Sequence, residues 1–255
     1  MNFLRWSRGL VPLAAALLLW QVFGSDDSLY FPRPSAWWTA LARQWENGSL
    51  LRDTAATTGR FLLALAIATV IGALIGFAMA ENRSVDRSLS PTFEFLRVLP
   101  AAVTVPIFVL MLGYTNQMAV TAIVFASMWP MILATRQAAA DIPPLLRDVG
   151  ATLQLTRARV IRKILLPSLF PAVFLALRVA GPITFVVTIL VEMLTGISGT
   201  GSAMFLAQQS YQSAAVYGLI CVVAVMALLV DAGAGALERV ATAFGGVRPR
   251  RRRPA

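Results

Sequence analysis

The sequence predicts an all-α membrane protein with six transmembrane helices. Three observations carry that class. The chain of 255 residues is 58% hydrophobic and only 13% charged, with a mean hydropathy of +0.71, whereas a soluble domain has roughly 25% charged residues. The apolar residues fall in continuous runs of helical-span length, without the dyad alternation of a membrane barrel. The basic residues are also distributed unevenly between alternate loops, as a multi-pass topology requires.

The first span is read at residues 9–23, "GLVPLAAALLLWQVF", with Arg5, Trp6 and Arg8 at the interface. A basic start and an apolar core also fit a signal peptide, but no small-x-small cleavage site follows in "QVFGSDD". The second span is expected over 58–80, the third over 98–113 and the fourth over 117–135. The fifth and sixth are expected over 168–191 and 216–237. Between the first two, Trp38, Leu41 and Trp45 recur at helical spacing after Ser35, an N-cap candidate. That segment is either a helix in the outer interface, with Trp at headgroup level, or a short packed elbow. With the N-terminus inside, 17 of the 22 basic residues lie in inner segments, and only Arg33, Arg43, Arg52 and Arg60 lie in outer ones. Both termini are therefore expected in the cytoplasm. The net charge of +10 is a topology signal, and the tail "RPRRRRP" is expected near anionic membrane lipid, with no nucleic-acid partner. The domain organisation read from this is a span and outer helix (1–57), a core permease region (58–237) and a basic cytoplasmic tail (238–255).

One inner loop, residues 136–167, is more than a connector. Asp141 is read as capping a helix begun by "IPPLLRDV", since proline is tolerated in a first turn. Leu145, Leu146, Val149 and Leu153 mark one apolar face of a short helix over about 143–153. Thr156 then caps a second, basic helix, "RARVIRKILL", which is expected to end at Pro167. From the residues alone this is either a helix on the membrane surface or a docking helix for a cytoplasmic partner.

The absences narrow the function. The chain has no His and one Cys, Cys221, so Cys/His metal sites, triads of the Ser-His-Asp kind and intrachain disulfides are excluded. Its only lysine, Lys163, is followed by Ile, so there is no phosphate-binding P-loop. No cofactor is expected in the chain. Arg178, Glu192 and Asp231 lie in or beside spans and should face protein or water, because lipid exposure at the bilayer centre costs at least about 2.5 kcal/mol. Arg178, 11 residues beyond Pro167, is expected near mid-membrane, lining a path or paired with Asp231 or with backbone carbonyls. Glu192 either caps the "TGISGTG" turn or contacts substrate or receptor. Pro100, Pro106, Pro130 and Pro182 free backbone groups that only protein or a water-filled cavity can satisfy, so they mark candidate path segments.

The ordered motifs resemble a known family. D-V-G-x3-Q-x9-I-x-L-P, on Asp148, Val149, Gly150, Gln154 and Pro167, is similar to the E-A-A-x3-G-x9-I-x-L-P motif of ABC importer permeases. "YFPRPSAWW" is similar to the L-P-S-P segment of the nitrate/sulfonate/taurine class. Arg97, Pro100, Pro106 and Gly113 match its R-x-I-P-x5-P-x6-G, and Pro167, Pro171 and Arg178 match its L-P-x3-P-x6-R. Glu192, Gly199, Gly201 and Ala207 match A-E-M and G-x-G-x5-A. The resemblance implies a type I importer-like permease of the bacterial inner membrane with a coupling helix. It also implies a second permease copy, an ABC ATPase dimer that holds ATP and Mg, and an external solute-binding protein. The solute is then a small anionic, aromatic or heterocyclic molecule. The chain departs from the motif at Asp148, in place of Glu, and at Gln154, in place of Gly. Glycine there suits a left-handed helix terminus, where a side chain costs about 1 kcal/mol. The rival readings are a self-sufficient secondary transporter or channel, which needs deep ion-coupling carboxylates, and a membrane enzyme, which needs a catalytic cluster.

Overall fold

The computed structural model describes residues 3–25, 28–143, 145, 146, 148 and 152–244. These residues are helical throughout, with short turns between helices. The helices are α1 (Phe3–Phe23), α2 (Pro34–Glu46), α3 (Ser49–Glu81), α4 (Arg83–Leu96), α5 (Ala101–Leu112) and α6 (Asn116–Ala140). A short helix Arg157–Val160 and a π-helical turn Ile161–Leu165 then lead into α7 (Leu166–Thr195), followed by α8 (Thr200–Gln209) and α9 (Ser213–Phe244). Two compact units form: residues 1–58 with 192–226, and residues 59–191 with 227–255.

Four helices are long and apolar enough to cross a membrane: Ser49–Glu81, Asn116–Ala140, Ala158–Thr195 and Ser213–Arg239. The α4–α5 pair, bent by 103° at its break, adds a fifth if it forms one span, and Ala14–Phe23 is apolar but shorter. Helix length alone therefore does not return six spans. The expected third span, 98–113, is the clearest case. Pro100 has no N–H and holds φ at −61°, so it caps a new helix, and only the 12 residues Ala101–Leu112 follow. The expected second span starts nine residues earlier than read, at Ser49, because the segment before it is also helical. Arg60 consequently belongs to α3 and not to an outer loop. It is 7% exposed, and its guanidinium donates to Asn116 Oδ1 at 2.9 Å.

The first unit is organised by aromatic residues. Trp20 meets Trp37 and Tyr217 edge-on, with ring centroids 5.0 and 5.1 Å apart, and Trp37 stacks on Tyr217. The Trp37 indole N–H donates to Pro32 O and the Tyr217 hydroxyl to Tyr30 O, so each ring also satisfies its polar end. A Cβ on Gly218 would meet Leu41 Cγ at 2.9 Å, so α2 packs directly on α9. Trp38 and Trp45 face away and are exposed. The segment is thus a packed elbow on one face and bare tryptophan on the other, which combines the two readings offered above. Its N-cap is Arg33 and not Ser35, since Pro34 supplies the first turn. Ser35 instead exchanges two hydrogen bonds of 3.1 Å with the Gln21 amide.

The second unit packs α3 against α6 through Gly72 and Gly76. A Cβ at Gly72 would sit 2.6 Å from Met131 Cβ, and one at Gly76 would collide with the Ile132 carbonyl. Such small-residue spacing lets two backbones approach where lipid gives no hydrophobic drive to associate. Beside this contact, Val85, Leu89, Phe93 and Leu96 of α4 lie on Met79, Trp129 and Ile132. Their i, i+4, i+8, i+11 spacing makes α4 an amphipathic helix.

Candidate coupling loop and outer polar knot

The loop begins where α6 ends. Asp141 closes α6 and does not open the next helix: its N–H donates to Gln137 O, and its carboxylate accepts both bonds from the Gln137 amide. Ile142 is buried, and Leu146 N–H turns back to Pro143 O at 3.0 Å. The expected single apolar face divides here. Leu146 packs on the cluster of Ala139, Ile142, Leu165 and Leu169, whereas Leu145 and Leu153 are 69% and 63% exposed. Val149 and Gly150 lie outside the described residues. Asp148 is exposed, and its carbonyl accepts from the Thr152 hydroxyl at 2.9 Å.

Gln154 has φ +49°, the left-handed conformation that glycine adopts without strain. After Thr156 the basic helix does not stop at Pro167. Proline lacks an N–H and its ring clashes with the carbonyl four residues back. The chain absorbs this in the π-turn, where Leu166 N–H reaches Ile161 O. The Ser168 hydroxyl takes up Ile164 O at 2.7 Å, and the helix continues to Thr195. Ile161, Ile164 and Leu165 pack inward, while Arg162 and Lys163 are exposed.

The second group of motif residues forms a polar knot in the first unit. Glu192 is fully buried. Its Oε2 accepts from the Thr57 hydroxyl at 2.9 Å and from Gly201 N–H at 3.0 Å. Thr200 N–H donates to Thr57 Oγ1 at 2.9 Å, so Thr57 both gives and receives. The carboxylate therefore caps the first turn of α8, where free N–H groups and the helix dipole favour an anion. Gly199 follows from this: a Cβ there would fall on the Glu192 carboxylate. Gly196, at φ +67°, ends α7 with its N–H on Glu192 O.

The remaining expectations place differently. Arg178 pairs with Glu238 and not with Asp231, which is exposed on α9. Pro100 and Pro106 are exposed on the cap and body of α5. Thr57, Thr200, Glu238 and the α4 face were missed by sequence reasoning. The last had a readable signal, its four apolar residues at helical spacing.

A chain of long apolar helices braced by internal polar pairs is a membrane-embedded helical domain. Residues 68–241 match the family described as "Binding-protein-dependent transport system inner membrane component", and the chain belongs to it. It is similar to the bicarbonate transport system permease protein of Synechocystis sp., with 30% identity over 237 residues, covering 88% of this chain and 84% of that one. It is similar also to the nitrate import permease protein of Synechocystis sp., with 25% identity over 233 residues, covering 88% and 85%. Among solved structures, an inward-facing MetNI methionine ABC transporter shares the fold, with a TM-score of 0.67 at 17% identity over 77% of this chain and 98% of that one. The protein is a multi-pass permease subunit of an ABC importer of the bacterial inner membrane. The family implies an ATPase in a separate subunit and a solute-binding protein as partners.

Proposed function

We propose that this permease passes a small oxyanion delivered by an external binding protein, and that residues 145–167 couple it to the ATPase. The observation that carries the coupling role is the exposure of Leu145 and Leu153 on a loop whose neighbour Leu146 is packed. Two bare leucines on a charged loop fit an apolar groove of a partner better than open solvent. Asp148 and the glycine-like turn at Gln154 set the loop's outline. Pro167 and its π-turn join the loop to α7. The oxyanion class rests on the likeness to bicarbonate and nitrate permeases. A pair of identical permease copies forms the pathway, with Pro100 and Pro106 of α5 along it. Arg178 fastens α7 to α9 through Glu238, and Glu192 holds the outer turn in place without touching solute. The bias of basic residues supports cytoplasmic termini and a cytoplasmic loop.

The experiment is Leu153→Asp in the assembled importer. A charge set in an apolar groove is left unpaired and desolvated. Retention of ATPase per permease falls at least tenfold, or substrate-stimulated hydrolysis in vesicles disappears, while the inserted permease level stays normal. Wild-type retention together with wild-type stimulation would sink the coupling role. Topology is checked separately, in a Cys221→Ser background because Cys221 is exposed. An impermeant thiol reagent applied to intact cells labels Asn47→Cys and leaves Thr156→Cys unlabelled; labelling of the second reverses the orientation.

A further inference from the structure

We propose that a cleft in the second unit, between the ends of α3 and α6 and the start of α4, binds the headgroup of an anionic phospholipid. The cleft has a volume of about 540 Å³. Arg83 and Arg136 both line it. Asp86 holds Arg136 in a two-pronged pair, with Nε to Oδ1 at 2.8 Å and Nη2 to Oδ2 at 2.9 Å. A guanidinium has five N–H donors, so this pair fixes the Arg136 fork and leaves other donors for a ligand. Arg83 is exposed and makes no ion pair among the described residues. With one carboxylate against two guanidiniums, the cleft lining carries one net positive charge.

The rest of the lining is Met79, Ala80, Leu133 and Ala140, with Gln137, whose amide is held by Asp141, and of the apolar residues Leu133 is partly bare. Cationic donors beside an apolar wall match an amphiphile, in which phosphate is joined to hydrocarbon. A free oxyanion has no use for Leu133. The apolar lengths of α3 and α6 lead away from the same place, which gives an acyl chain a continuous surface. Helix α4 presents Val85, Leu89, Phe93 and Leu96 to the protein and keeps Arg87 exposed. The chain leaving α6 passes directly into the loop at 142–156, so the cleft is on the loop side of the second unit, where basic residues are concentrated. The coupling role does not use these residues.

The test uses the importer with its ATPase, exchanged into phosphatidylcholine nanodiscs that contain a minority of phosphatidylglycerol. The phosphatidylglycerol retained per permease after extraction is counted by native mass spectrometry. Arg83→Gln lowers its enrichment over phosphatidylcholine about five-fold, the worth of one basic residue near an anionic surface. Asp86→Asn raises the net charge of the lining and increases the enrichment, a change of sign that loss of a structural pair would not produce. Arg87→Gln, outside the cleft, leaves it unchanged. Inorganic phosphate does not displace the lipid. Unchanged enrichment in Arg83→Gln, or an equal loss in Arg87→Gln, overturns the site. Displacement by phosphate at the same concentration as lipid overturns the lipid as its ligand.

Discussion

Glu192 and Leu153 come from the same ordered set of motifs and sit in contrasting surroundings. The carboxylate is sealed inside the first unit with Thr57 and Gly201 hydrogen-bonded to it, whereas the leucine projects from the second unit and is 63% exposed. A polar group that is expensive to bury has been buried, and an apolar group that is expensive to expose has been exposed. The first is made tolerable by partners within the chain. The second is made tolerable only by a partner outside it. Internal knots can therefore be understood from one chain, and docking surfaces show themselves by what they lack.

The contrast is broken most forcefully at the knot. Glu192→Ala strands the Gly201 N–H in a closed space, where an unsatisfied group costs about 1–3 kcal/mol, while the Thr57 hydroxyl keeps the Asp53 carbonyl as acceptor. The melting temperature of the purified permease drops by more than in any loop variant, and Glu192→Gln, which keeps an acceptor, recovers part of it. If Glu192→Ala melts like the wild type, the knot is not a brace. Gly199→Ala acts on the same spot by sterics and lowers the melting temperature with the carboxylate still present. The Arg178–Glu238 pair comes next. Its arginine is half exposed, so screening limits its worth to about 0–1 kcal/mol. Arg178→Gln gives a small thermal shift and a modest loss of assembled complex in detergent; loss of transport with assembly intact would move Arg178 into the path. Smallest is Gln154→Gly, where relief of a left-handed side-chain penalty of about 1 kcal/mol is largely offset by glycine's greater loss of backbone freedom on folding. A slight rise in thermal stability with unchanged ATPase retention is expected, and a fall in either would mean that the Gln154 side chain itself makes the contact.

Much of this was legible from the residues. Apolar run length gave the four long helices, and motif order gave the family before any coordinates. The left-handed turn at 154 was legible only through the glycine of the family motif, and Gln154 keeps that conformation despite its side chain. What escaped had non-local causes. No spacing rule links Arg178 to Glu238 over 60 residues, or Thr57 to Glu192 over 135, because those pairings depend on how helices register. Asp141 misled because an acid after an apolar run can cap either the helix behind it or the one ahead. Pro167 misled because a proline can be absorbed by widening one turn, an outcome decided by Ser168 and the packing of Ile161 and Leu165.

That widened turn has a consequence for anyone ranking positions along the chain. A π-turn takes up one residue more than the α-helix would, and each α-helical residue advances the azimuth by about 100°. A helical wheel drawn continuously from Ala158 to Thr195 is therefore out of phase by about that angle on one side of residues 161–165. A scan that numbers faces from Ser168 onward will put Arg159 on the wrong flank. The two segments need separate wheels, as though they belonged to two helices that happen to share an axis.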